Sequence, residues 1–170
     1  CDAAGIEWTI IRPPLVYGSR AKGNLDRLGG LVRRRVPLPL GAVGNARSMV
    51  SARNLAAGTI MALTSPTSVG RILHLADLTL STGDLVREVG KSLGTEVTLV
   101  RVAPWLMNLA ASALGRGEDA RRLLGSLEVD SGESWKALGV AKPDAFPFDP
   151  REELRASFSE SPVVGRQSAG

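Results

Sequence analysis

Apolar positions along the chain recur in short blocks whose period switches between two residues and about 3.6, the signatures of strand and helix. Residues 7–11 read as a strand that must stop at Arg12, because Pro13 and Pro14 have no N–H to give a ladder and a fixed φ. The proline-stiffened segment stays extended as far as Gly18. Leu25, Leu28, Leu31 and Val32 stand at helical spacing and predict a helix over 23–34. The alternating prolines of 36–41 predict an edge or isolated strand. A short strand over 47–51 follows, and Ser51 is placed to cap a helix over 52–63 with Leu55, Ile60 and Leu63 near one face.

Further on, residues 71–76 alternate as a strand, 77–80 read as a turn, and Ser81-Thr82-Gly83-Asp84 opens a helix that ends at Gly94. Residues 96–102 show period two. Pro104 and Gly115 frame an apolar helix over 105–114. Shorter elements come last: 120–124 helical, 126–129 extended, a helix capped by Asp130 through Leu138, and a helix over 151–158 started by Asp149-Pro150. Residues 159–170 carry few apolar anchors and read as a disordered tail.

Strands alternating with helices predict an α/β fold with parallel pairing in at least part of the sheet. Only two or three of the strands look central, too few for a complete doubly wound sheet. The opening Cys1-Asp2-Ala3-Ala4-Gly5-Ile6-Glu7 reads as a frayed helix end, a glycine stop and a strand. The expectation is the C-terminal part of a Rossmann-like parallel sheet plus a small mixed α/β substrate-binding domain, spanning 1–158, with further residues upstream of Cys1.

Composition narrows the function classes. A hydrophobic share of 44% with 22% charged residues suits a globular chain. The net charge of +4 and a pI near 9.8 raise nucleic acid as a partner. Against it, the basic residues are scattered apart from Arg33-Arg34-Arg35 at a helix end, where cations complement the dipole, and the few aromatics do not interleave with them. The only cysteine is Cys1, which excludes a disulfide framework and zinc spacing and fits a reducing cytoplasm. No apolar run reaches the length of a membrane span, the most apolar helix, near 106–114, being too short, and no signal peptide opens the chain.

Most catalytic constellations are missing. His74 is the sole histidine and sits in a strand pattern without a nucleophile elbow, so neither a hydrolytic triad nor a metal set can be assembled. Gly29-Gly30 lies inside a helix, and Gly41-Ala42-Val43-Gly44 lacks both the third glycine and the helix of a dinucleotide cradle. Tyr17 and Lys22 stand five apart with Gly18 between them, so no helix aligns them as a phenol with its activating ammonium. Two features remain open to either reading. The stop at Arg12-Pro13-Pro14 is a ligand-facing strand end or an ordinary turn. Arg47, after a glycine-rich turn, is a phosphate clamp or a plain surface arginine.

Arg12-Pro13-Pro14-Leu15-Val16-Tyr17-Gly18, Lys22-Gly23-Asn24, Pro37-Leu38-Pro39-Leu40-Gly41, Arg47-Ser48-Met49-Val50-Ser51 and Asn54-Leu55-Ala56 occur in this order. With Leu73-His74-Leu75-Ala76-Asp77, Ser81-Thr82-Gly83-Asp84-Leu85, Arg122-Leu123-Leu124-Gly125-Ser126-Leu127, Val129-Asp130 and Leu138-Gly139 the set resembles, over residues 5–158, the C-terminal half of the NAD-dependent epimerase/dehydratase family. That family comprises extended short-chain dehydrogenases/reductases, and the likeness is closer to its nucleotide-sugar branch.

The resemblance implies NAD or NADP as cofactor and a nucleotide sugar, UDP-linked, as substrate. It implies hydride transfer at a sugar hydroxyl or 4-keto carbon, with the glycine-rich turn and the Tyr-x-x-x-Lys pair upstream of Cys1. Pro13, Pro14 and Leu15 would meet the nicotinamide end and the sugar. Asn24 and Leu25 would border the nucleotide, Leu38, Pro39 and Leu40 would line the uracil slot, and Arg47, helped by Arg122, would bind the pyrophosphate. No catalytic residue is expected within the 170 residues, so the segment alone should turn nothing over. The family's epimerases often carry asparagine where this chain has Leu15, which leaves epimerisation, dehydration and 4-keto reduction open. The same fold also admits a noncatalytic NAD(P)-sensing or scaffolding relative, and the full-length protein admits a homodimer.

Overall fold

In a computed structural model that describes residues 5–18, 24–113, 115, 117, 124–140 and 146–159, the period-two blocks form two short sheets and the fold is α/β. β1 (Thr9–Ile11) pairs in parallel with β4 (Arg71–Leu73), Thr9 opposite Arg71 and Ile11 opposite Leu73. β2 (Leu15–Tyr17) runs parallel to β3 (Arg47–Ser51), which pairs antiparallel with β5 (Leu78–Leu80). The helices are α1 (Asn24–Arg33), α2 (Ala52–Thr64), α3 (Thr82–Ser92), α4 (Pro104–Ala113), α5 (Gly132–Ala137) and α6 (Pro150–Ser159).

Strand alternation on the three-stranded sheet feeds two cores. Tyr17 and Met49 face a cluster with Val32, Leu85, Val89 and Leu154, drawn from α1, α3 and α6. Their neighbours Val16 and Val50 face the opposite cluster, with Leu73, Leu75, Trp135 and Leu138. β3 is therefore covered on both faces. Met49 and Val50 are fully buried, each gaining about 2 kcal/mol of apolar transfer free energy.

Capping follows the sequence closely. Ser51 accepts the Asn54 N–H (3.0 Å) at the start of α2, and Ser81 accepts the Asp84 N–H (3.0 Å) at the start of α3. Gly94 closes α3 at φ +59°, a conformation that favours glycine. Asp149 Oδ1 accepts from the N–H groups of Arg151 and Glu152 and so starts α6.

Five local expectations are corrected. On α2 the sheet-facing line is Asn54, Gly58 and Ala62; of the expected apolar face Leu55 packs against the core, while Ile60 and Leu63 are 64% and 82% exposed. The small residues prevail because α2 approaches so closely that a Cβ on Gly58 would sit 2.8 Å from Leu75 Cδ1 and 3.0 Å from Trp135. Residues 78–80 are β5 rather than a turn, since Asp77 N–H donates to Met49 O (2.9 Å) and starts the antiparallel pairing. Residues 96–102 reduce to a single bridge, Leu38 to Leu99, because Pro37 and Pro39 remove the donors that would extend the ladder. At α5 the capping position is Ser131, whose hydroxyl donates to Ala76 O, while Asp130 Oδ1 accepts from Gly132 N–H. The strand expected over 71–76 stops at Leu73, because the His74 N–H turns to Ser134 Oγ (2.9 Å). The helix expected over 120–124 lies outside the described residues save Leu124, and so does the tail beyond Ser159.

The contrast on α2 is measurable by urea unfolding. Gly58→Leu, which overpacks the Leu75–Trp135 contact, should cost about 3 kcal/mol. Ile60→Ala, on the exposed face, should stay within about 0.5 kcal/mol of the parent.

Candidate functional site

The site expected from the sequence begins where β1 ends. Arg12 N–H still donates to Leu73 O (2.8 Å), the last rung of the β1–β4 pair. Pro13 and Pro14 then offer no donor, and the chain leaves one sheet and enters the other at Leu15. Continuing the β2–β3 register backwards from Leu15 opposite Met49 would set Pro13 opposite Arg47. That edge of β3 is instead taken by Leu127, through Leu127 N–H to Ala46 O (2.8 Å) and Ser48 N–H to Leu127 O (2.8 Å). Arg47 pairs with Leu80 on its other edge, so its backbone is held from both sides.

Buried polar side chains fix the surroundings of Arg47. Asn45 Oδ1 accepts from Thr82 N–H (2.8 Å), and its Nδ2 donates to Thr82 Oγ1 (2.9 Å) and Gly125 O (3.0 Å). Ser48 Oγ accepts from Val129 N–H and lies 3.0 Å from Thr79 Oγ1. These two residues escaped the sequence reading. Their only signal was a polar type at an inward strand or loop position.

Leu15, Leu25, Leu38 and Leu40 meet in one apolar cluster. Pro39 is exposed between its two buried leucine neighbours and sits at the centre of a tight turn, Leu40 N–H to Leu38 O (2.8 Å). Arg47, half-buried, stands two residues along β3 from Leu15's partner, about 7 Å at strand rise. Pro13 is exposed and Pro14 half-buried. Asn24 opens α1, and Arg122 lies outside the described residues. A cleft of about 720 Å³ opens elsewhere, between β1, α2 and the 3-10 turn Pro66–Ser68, lined by Trp8, Ile11, Leu63 and Val69 among others. It contains none of the residues named above for a nucleotide sugar.

A second polar centre joins the strand ends to α6. Asp77 Oδ2 accepts from Ser51 N–H (3.0 Å) and Asn54 Nδ2 (2.7 Å). The Tyr17 hydroxyl donates to Pro150 O (2.8 Å) and lies 3.2 Å from Asp77 Oδ1. Asn54 is fully buried and clasps the chain before α6 through Nδ2 to Phe148 O (2.8 Å) and Phe148 N–H to Oδ1 (3.0 Å). Arg53 adds its guanidinium over the Phe148 ring at 3.8 Å. Burial raises the Asp77 carboxyl above its usual range against the opposing pull of the Asn54 and Ser51 hydrogen bonds. Burial, reinforced by the neighbouring Asp77 charge, also raises the Tyr17 phenol. A buried phenol committed to a backbone carbonyl is a structural group, not a proton donor to substrate. Asp84, by the Ser81 hydroxyl, and Glu88, by the Lys91 ammonium, are shifted downward. Among the described residues no group of three or more metal-ligating side chains gathers.

No family model matches the chain. Among solved structures it resembles UDP-glucuronic acid 4-epimerase from Bacillus cereus in complex with NAD, with TM-score 0.62, 16% identity, and coverage of 89% of this chain and 44% of that one. It also resembles UDP-glucose 4-epimerase from Thermotoga maritima with UDP-glucose, with TM-score 0.61, 13% identity, and coverage of 92% and 46%. RMD from Pseudomonas aeruginosa complexed with NADPH is similar again, with TM-score 0.62, 12% identity, and coverage of 94% and 49%. These likenesses show the fold, an α/β one shared with those structures. In sequence it is 32% identical over 142 residues to UDP-glucose 4-epimerase of Vibrio cholerae, covering 82% of this chain and 43% of that protein. The chain belongs to the NAD-dependent epimerase/dehydratase family. It spans a little under half the length of the relatives it matches.

The polar centre makes a two-part test. Because the folded carboxyl of Asp77 holds its proton more tightly than the unfolded one, its contribution to stability is full at acid pH and falls as pH rises through the carboxylate range toward the raised folded value. Asp77→Asn should therefore equal or exceed the parent in stability at neutral pH and lose that advantage on acidification. Asn54→Ala, which strips partners from Asp77 and Phe148, should cost about 3 kcal/mol at neutral pH. Urea midpoints across pH measure both.

Proposed function

We propose that this chain is the substrate-gripping C-terminal portion of a longer NAD(P)-dependent enzyme that epimerises, dehydrates or reduces a nucleotide sugar, UDP-linked. The observation that carries the reading is the match to the Vibrio cholerae epimerase over 82% of this chain but only 43% of that protein. The nucleotide-binding residues proposed are Asn24, Leu25, Leu38, Pro39, Leu40, Arg47 and Arg122, with Arg47 on the diphosphate. A guanidinium suits that role because it offers paired donors to phosphate oxygens. The clamped backbone at Arg47 supports it, since a fixed strand position lowers the entropy lost when a ligand is gripped.

The residues present fit only one end of a dinucleotide. Pro13, Pro14 and Leu15 supply apolar contact at a parallel-strand end, but the sequence has no glycine-rich turn to cradle a pyrophosphate. The cofactor is therefore assigned to an upstream portion, and no chemical step is drawn through it here. Support for such a portion comes from β1, whose second edge is unpaired among the described residues. Ile6 before β1 and Ile10 within it are exposed, and exposed Leu63 lines the adjoining cleft. With Cys1 the only cysteine, the reducing cytoplasm is the proposed compartment.

Steady-state kinetics on the full-length protein with UDP-sugars test the reading. Arg47→Ala should raise KM about tenfold or more while kcat changes less, the pattern of lost ground-state binding. The 170-residue chain alone should show no turnover. Unchanged KM in the variant, or turnover by the isolated chain, would overturn it.

A further inference from the structure

α3 begins where the β3–β5 ladder runs out. Arg47 stands opposite Leu80, so the register continued two residues further sets Asn45 opposite Thr82. Thr82 is already helical, and an N–H in the first turn of a helix has no partner inside it. The Asn45 side chain supplies one: Oδ1 accepts from Thr82 N–H at 2.8 Å, and Nδ2 donates to Thr82 Oγ1 at 2.9 Å. On the other edge of β3, where Leu127 bridges to Arg47, the same Nδ2 donates to Gly125 O at 3.0 Å. One amide thus adds a rung on each side of the chain just before Arg47.

The first turn of α3 also abuts the turn proposed to meet the base. A Cβ added to Gly83 would lie 3.4 Å from Leu40 O. Asn45 therefore links the Leu38-Pro39-Leu40 turn, through Thr82 and Gly83, to the segment that carries Arg47. Asn45 and Thr82 are both buried, and a buried amide is costly unless its donors and acceptors are used. A satisfied network of this kind specifies one geometry. The two segments it joins are those assigned to the base and the diphosphate of one ligand.

We propose that Asn45 is a positioning residue for nucleoside diphosphate binding: its amide fixes the spacing between the Leu38-Pro39-Leu40 turn and Arg47, so that base and diphosphate are gripped together. The inference rests on the nucleotide-sugar reading and adds to it a residue that acts through Arg47 rather than on the ligand.

Calorimetric titration of the full-length protein with UDP is the test. Asn45→Ala should raise the UDP Kd about fivefold or more, because a misplaced guanidinium grips less well. Thr82→Val, which removes the hydroxyl and keeps the N–H, should weaken UDP in the same direction, and Thr82→Ser should restore the parent affinity. In an Arg47→Ala background Asn45→Ala should add no further loss, because the group it positions is gone. General loosening of the fold would add a loss there instead. Should Asn45→Ala fail to fold, the Thr82 variants, alone and combined with Arg47→Ala, decide the matter. Parent affinity in Asn45→Ala and Thr82→Val, or losses that add to that of Arg47→Ala, would overturn the inference and leave the nucleotide-sugar reading standing. Parent affinity in Arg47→Ala itself would overturn that reading and the inference with it.

Discussion

Two consecutive residues without an N–H, Pro13 and Pro14, govern how the rest of the chain is arranged. A strand residue at Pro13 would have left Ala46 O on the β3 edge an unfilled acceptor, so the pairing restarts only at Leu15 and Leu127 takes the rung beside Arg47. One break in hydrogen bonding thus separates the two sheets and brings the 125–129 segment to the start of β3. It also sets Leu15 among Leu25, Leu38 and Leu40.

What the prolines separate, the polar side chains rejoin. Asp77 receives donors from the end of β3 and the first turn of α2, and Tyr17 at the end of β2 reaches both Asp77 and α6. A partly buried carboxylate with two amide donors is stable only while every donor stays in place, which makes the junction cooperative and rigid. The contrast with Glu88 is instructive. That carboxylate is buried too, but it meets Lys91 at 2.9 Å, Arg155 at 3.5 Å and Arg151 at 3.6 Å between α3 and α6, so its charge is favoured rather than penalised.

Local chemistry that depends on one or two neighbours was legible in the chain. Ser51, Ser81 and Asp149 act as starts where their types and spacing predict, and the strand stop at Arg12 follows from proline alone. Features set by a distant approach were not. Ile60 and Leu63 outrank Gly58 in hydrophobicity, but only the space left by Leu75 and Trp135 shows that the glycine must face inward. Asp77 reads as a turn former until Ser51 and Asn54 are seen to hold its carboxylate. Of the residues proposed for binding, Leu15, Leu25, Leu38 and Leu40 are apolar positions that the structure gathers into one core cluster. Asn45 and Ser48, which position Arg47, carry no periodic signal at all.

The most direct measurement is a structure of the full-length protein with UDP bound. The diphosphate should lie within hydrogen-bond distance of the Arg47 guanidinium, with the base against the Leu38-Pro39-Leu40 turn. UDP seated on another surface, with Arg47 turned away from it, would contradict the assignment.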